Sequence, residues 1–152
     1  MTASACGAHE PIRQMAGMLT EFVQQVPGVT QALLVSRDGL RLVDNGIHKD
    51  LADKWAASLG TLASLTENIP GPRGDAGAMK QTVIERDDGL IFVSFAGTSA
   101  AFPNQPGTKE GVVATVLAVI TEPNANAGTV GYEMGVLVDR FAPYMVTALR
   151  RA

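Results

Sequence analysis

The residues of this 152-residue chain that could carry out chemistry are few, and their spacing suits none of the common reactions. His9 and His48 are its two histidines and Cys6 its one cysteine. A zinc site needs three or four such ligands at short, regular intervals, and these three stand at unrelated positions. Neither histidine is near a serine or cysteine in a recognisable nucleophile pattern, so a catalytic triad has no candidates. Gly71, Gly74 and Gly77 in GPRGDAG form the kind of glycine-rich loop that can cradle phosphate. No GK[ST] follows, and the segment opens a strand pattern instead of a helix, so a flexible connection is the simpler reading. Asp87 and Asp88 are adjacent carboxylates, but neighbours in a turn point apart and stay solvated. Tyr132 and Glu133 lie in a helical pattern, where packing and a local contact account for them. No catalytic residue, cofactor or metal is expected.

The composition narrows the partners. At 46% hydrophobic and 18% charged residues, the chain is a globular protein with enough apolar side chains for a real core. A net charge of −3 and an isoelectric point near 5.3 argue against nucleic acid or an anionic membrane as the main partner. Aromatic residues make up 5%, too few for a base-stacking surface. A single cysteine excludes an internal disulfide framework and fits a reducing compartment. The first residues have neither the basic start nor the apolar run of a signal peptide, and no stretch is apolar for long enough to span a bilayer. A cytoplasmic protein without direct membrane insertion is expected.

The elements that must position any site follow from periodicity and punctuation. Residues 1–10 are small and polar and read as a disordered tail ahead of a single domain at 11–152. Ile12, Met15, Leu19, Phe22, Val23 and Val26 recur at helical spacing behind Pro11, a residue suited to a first turn. Strands are expected at 29–36 and 40–43 around Asp38-Gly39, and at 79–86 and 90–96 around Asp88-Gly89, both pairs read as two-residue hairpins. A loop over 97–111 leads to the most apolar strand, 112–120. A long helix over 127–150, kinked at Pro143, ends the chain. Strands apolar on both faces belong in the middle of a covered sheet and half-polar ones at its edges. The fold class is therefore α/β (α+β), with element order αββαβββα. Its five-stranded, mainly antiparallel sheet has spatial order 2-1-5-4-3, with one helix on one face and two on the other.

The middle helix, near residues 50–69, organises the rest. Leu51, Trp55, Leu59, Leu62, Leu65 and Ile69 form an apolar stripe, with Asp50 and Asp53 at its start as cap and dipole partners. From Trp55 to Thr66 there is no charge on any face, and Ala56, Ala57, Ser58, Gly60, Thr61, Ala63 and Ser64 fill the remainder. A helix exposed to water on its outer side would carry lysine and glutamate there. This one is expected to lie between its own sheet and a second protein chain, its small residues letting another backbone come close. Trp55 admits two readings, a core side chain or an interface one, and the uncharged surround favours interface burial.

Three runs, PGVTQALLVSRDGLRLVDNG, LADKWAASLGTLASL and GTVGYEMGVLVDRFAP, resemble the Roadblock family, named for dynein-associated light chains. The likeness spans about residues 12–150 and is nearest to bacterial members. These include a gliding-motility GTPase-activating protein and small proteins encoded beside a sensor kinase and a Ras-like GTPase. The resemblance implies the same sheet, and a homodimer whose middle helices pack side by side and whose third strands pair edge to edge. It further implies a scaffold or regulator of a small Ras-like GTPase in a bacterial signalling complex, without catalytic residues of its own. The cytoplasmic part of a membrane sensor kinase is a further implied partner. Carried onto this chain, the dimer seam comprises Trp55, Ala56, Leu59, Gly60, Leu62 and Ala63 with the strand residues Lys80, Thr82 and Ile84. The long 97–111 loop departs from the tight turn of many relatives. An alternative of another class is a small-molecule sensor domain of profilin/PAS-like architecture, with that loop closing a pocket.

Overall fold

The structure is a computed structural model that describes residues 3–99 and 113–145. Its elements run α1 (Ala3–Gln25), β1 (Val29–Ser36), β2 (Arg41–Asp44), α2 (Lys49–Thr66), β3 (Thr82–Arg86), β4 (Gly89–Ser99), β5 (Val113–Thr121) and α3 (Ala127–Arg140), then a short 3-10 turn (Ala142–Tyr144). The strands form one sheet in the order β2-β1-β5-β4-β3, every neighbouring pair antiparallel. The expected order and element sequence are borne out.

Alternation within the three central strands divides the core in two. Ala32 and Leu34, Leu117 and Val119, and Phe92 and Ala96 pack beneath α1 and α3, against Met15, Leu19, Met134 and Phe141. The intervening Leu33 and Val35, Val116 and Ala118, and Val93 pack beneath α2, against Ala52, Ala56, Leu59 and Ala63. These strands read as apolar runs because both of their faces are covered.

The ends of several elements differ from expectation for identifiable reasons. α1 begins at Ala3, not at Pro11, so the segment read as a disordered tail is helical from Ala3 onward. Ala3, Ala5, Ala8 and Glu10 are strong helix formers, and Pro11 removes a single N–H from the ladder. α3 stops at Arg140 instead of continuing through a kink. Pro143 sits in the 3-10 turn, and Phe141 N–H donates to the carbonyls of Leu137 and Val138. The remainder of the expected helix, 146–150, lies outside the described residues. β4 extends to Ser99 past an irregularity at Phe95/Gly97, and most of the expected 97–111 loop also lies outside the described residues.

Neither hairpin closes as the Asp-Gly pairs suggest. The first passes through 37–40, with Gly39 at φ 92° and its N–H donating to Ser36 O at 3.0 Å. The second turns on Asp87-Asp88, with Arg86 and Gly89 already paired in the ladder. Gly89 serves close approach: a Cβ there would lie 2.3 Å from the Thr121 carbonyl oxygen of β5. Asp88 is fixed beside it by Arg86, whose Nη2 donates to Oδ2 at 2.6 Å.

The link into α2 is tied down by polar side chains. Asp44 Oδ1 accepts from the N–H groups of Gly46 and Ile47 at 2.7 and 3.0 Å. The cap of α2 is His48, not Asp50: its Nδ1 accepts from Asp50 N–H at 3.2 Å. Asn45 Oδ1 accepts from Ala32 N–H at 3.1 Å, a donor on a fully buried residue. Asn45→Ala strands that donor and is expected to cost about 1–3 kcal/mol in urea denaturation, whereas Asn45→Asp keeps an acceptor and costs less.

Candidate protein-protein interface

Where α2 lies on the sheet decides what it exposes. Its buried side consists of Ala52, Ala56, Leu59, Gly60 and Ala63. This inverts the expectation that the large stripe meets the sheet and the small residues meet a second chain. The reason is distance: an added Cβ at Gly60 would lie 2.6 Å from Ser36 O and 2.8 Å from Gly39 Cα. In return, a Cβ at Gly39 would come within 3.2 Å of Ala57 Cα. The helix thus rests backbone to backbone on the β1–β2 hairpin, and at Gly60 not even a methyl group has room.

Polar contacts fix which way the helix is turned. On the flank beyond Gly60, Ser64 Oγ donates to Arg37 O at 3.3 Å, and Asp53 lies 3.6 Å from Arg41 Nε. Both partners belong to the β1–β2 hairpin. Lys49 donates to Asp53 at 2.7 Å, and this hydrogen bond, the largest influence, outweighs the opposing effect of desolvation and, with the lesser pull of the Lys49 and Arg41 charges, holds the Asp53 carboxyl below its usual range. The small stabilisation that follows is present above the unfolded carboxylate pKa and is lost as pH falls through the lowered folded value. At the end of α2, Glu67 pairs with Arg37 and also accepts from Met79 N–H at 3.4 Å.

With one flank committed to β1 and β2, the other must face β5, β4 and β3. That flank carries the large apolar residues. Leu51 is 41% exposed and Leu65 58%, while Trp55 and Leu62 are half-buried against the α2-side core. Both readings of Trp55 therefore hold in part: it packs on its own core and keeps an open side. Below the flank the sheet is incompletely roofed. Gln31, Ile120, Ile91 and Ile84 stand side by side in one cross-strand row on the α2 face, and all four are half-exposed. The neighbouring row, Leu33, Ala118 and Val93, is fully buried and ends in half-exposed Thr82. Flank and row together make an apolar step that ends at β3, an edge strand.

The residues expected in a seam separate into groups on this geometry. Ala56, Leu59, Gly60 and Ala63 are buried in their own chain and present nothing outward. Trp55 and Leu62 line the step, as do Thr82 and Ile84. Lys80 is exposed and precedes β3, which starts at Thr82 instead of Met79. Sequence reasoning placed Leu51, Leu65 and Ile69 on the stripe but not in the seam, and it missed Ile91 and Ile120. Those two lie in strands apolar on both faces, where periodicity cannot tell a roofed position from an open one.

Among the described residues, no three His, Cys, Asp or Glu side chains cluster as a metal site would require, and no helix is long and apolar enough to cross a membrane. His48 is used as a helix cap.

Comparison with known proteins agrees with this architecture. The Roadblock/LC7 domain family matches residues 15–102. A solved Roadblock/LC7 domain from Streptomyces avermitilis is 37% identical, with 84% of this chain and 94% of that one covered at a TM-score of 0.68. The gliding protein MglB of Thermus thermophilus is 17% identical, with 88% and 90% covered and a TM-score of 0.66. MglB of Myxococcus xanthus shares the fold at 12% identity, with 88% and 89% covered and a TM-score of 0.66. No curated protein matches in sequence. A matched region that takes in the middle helix and four of the five strands, with a relative similar over nearly its whole length, establishes that the chain belongs to the Roadblock/LC7 family.

Proposed function

We propose that this protein is a non-enzymatic homodimer that scaffolds or regulates a small Ras-like GTPase in a bacterial signalling complex. The observation that carries the reading is the apolar step, in which a large-residue helix flank stands above a row of half-exposed isoleucines beside an edge strand. Two copies related by a two-fold axis would set flank against flank and β3 against β3, each roofing the other's open half-sheet. Trp55, Leu62, Thr82 and Ile84 would be central in that seam, with Leu51 and Leu65 extending it. Lys80 would lie at its rim. The outer ridge of α2, with Ala57, Ser58 and Thr61 exposed and uncharged, would then join its counterpart as a composite platform for the GTPase.

The regulatory role rests on family membership and on the MglB fold likeness, and no group of catalytic geometry among the described residues competes with it. A stable pairing of this kind should bury roughly 1,200–2,000 Å² in total. Sedimentation equilibrium near micromolar concentration is expected to give the dimer mass, and a monomer there would reject the seam. A Ras-like GTPase should be retained on the immobilised wild-type protein and change its rate of GTP hydrolysis or its nucleotide exchange. A pathway in which that GTPase binds the monomeric variant equally well would reject the composite platform.

A further inference from the structure

The opposite face of the sheet carries a second feature, at the β3–β4 edge beside α3. β5 pairs with β4 from Leu90 to Ser99, but β3 pairs with it only from Gly89 to Val93. From Ser94 to Thr98, β4 therefore has an outer edge with no strand beside it among the described residues. The cause is the path of the connector before β3. Met79 packs into the α2-side core and donates its N–H to Glu67, which pulls the chain off the line of β3 just ahead of Thr82.

Alongside this open edge runs a cleft of about 530 Å³ between the sheet and α3. Its α3 wall is a glycine flank. A Cβ at Gly131 would lie 3.0 Å from Gln81 Oε1, whereas one at Gly135 would meet nothing within 4 Å, so a backbone can approach there. Ser94 lines the cleft from the sheet side. It is 7% exposed, and its Oγ has no hydrogen-bond partner among the described residues. A buried hydroxyl left unpaired is costly, and it points to a ligand that would satisfy it. Tyr132, 71% exposed, flanks the opening, whereas Phe95 pairs with Val116 and so carries its ring on the α2 side of the sheet. The ends are oppositely charged. Lys80 stands where β3 begins, and Asp139 lies two turns of α3 beyond Gly131; neither forms an ion pair among the described residues.

We propose that the open half of the β4 edge and the glycine flank of α3 form a docking groove for an extended segment of a partner protein, which is taken up as an added strand. Open backbone on β4 supplies the ladder, and alternate side chains of the segment enter the cleft towards Ser94 and Gly135. An added strand antiparallel to β4 runs from the Asp139 end to the Lys80 end. Charge complementarity therefore selects a segment basic at its amino-terminal end and acidic at its carboxyl-terminal end, with small or β-branched residues between. This groove opens on the other face of the sheet from the α2 step, shares only Lys80 with the rim of the proposed seam, and does not need the dimer in order to form.

The test uses the full chain and two labelled seven-residue peptides of alternating threonine and valine. One has arginine first and glutamate last, and the other has the two exchanged. Fluorescence anisotropy should show saturable binding of the first peptide and about fivefold to tenfold weaker binding of the second. A Cβ at Gly135 has nothing within 4 Å, so Gly135→Leu should keep the parent melting temperature and sedimentation while weakening the first peptide at least about tenfold. Ser94→Ala should leave the fold intact and also weaken the peptide. Amide exchange should slow in β4 from Ser94 to Thr98 on binding. The proposal is overturned by no saturable binding at about 1 mM, by equal binding of the two peptides, or by Gly135→Leu binding as well as the parent.

Discussion

Gly60→Ala should destabilise the protein by about 2–3 kcal/mol, although alanine is the better helix former by about 1 kcal/mol. The added methyl would sit 2.6 Å from Ser36 O and 2.9 Å from Gly39 N, both backbone atoms of the hairpin that cannot swing aside as the end of a side chain can. α2 must lift or the turn must open, and either movement loosens Ala56, Leu59 and Ala63 from the sheet. For a chain of this size the melting temperature is expected to fall on the order of 5–10 °C. Gly17 gives the matched reference, being exposed and helical with nothing within 4 Å of an added Cβ. Gly17→Ala should raise stability by about 0.5–1 kcal/mol. If the two alanine variants shifted denaturation in the same direction, the close approach of α2 to the hairpin would be wrong.

The second large effect concerns association. Trp55→Asp combined with Leu62→Asp places four carboxylates in the proposed two-fold seam, where they would be desolvated without partners. Burial of a large apolar side chain contributes ~1.5–3 kcal/mol, and about half of that is already gained within the monomer for these half-buried residues. Four side chains then account for roughly 3–6 kcal/mol of association, so the dissociation constant should rise at least about 100-fold. Analytical ultracentrifugation should find monomers at concentrations where the parent is dimeric. Cooperative melting should persist, since neither residue is fully buried in its own chain. Tyr132→Asp, on the exposed side of α3, is the control and should leave the sedimentation unchanged.

The sheet was legible in the sequence because its two kinds of strand differ in composition. Runs such as 32–35 and 116–119 can be apolar at every position only where both faces are covered, and this places β1, β5 and β4 in the centre. Helical stripes and the Pro-Gly stop after Val26 located the helices for similar reasons. The orientation of α2 was not legible. Hydrophobic periodicity weighs large side chains heavily, so it marks Leu51, Trp55, Leu62 and Leu65 as the inward face. What governs here is how close two backbones come, and that favours glycine and alanine. Gly89 misleads in the same way: beside an aspartate it reads as a turn residue, yet its role is to clear the Thr121 carbonyl. The step itself was half visible, through Trp55, Leu62, Thr82 and Ile84. Ile91 and Ile120 needed the strand register, which only the assembled sheet supplies.

The off-centre seat of α2 has one further consequence. Because glycine lets the helix sink over one side of the sheet, the same residue that steadies the single chain also leaves the far side bare. A variant that recentred the helix would mend that bareness from within and lose its reason to find a twin. Solitary endurance and the capacity to pair are thus set against each other at one position, and a screen selecting only for heat resistance would tend to erode companionship.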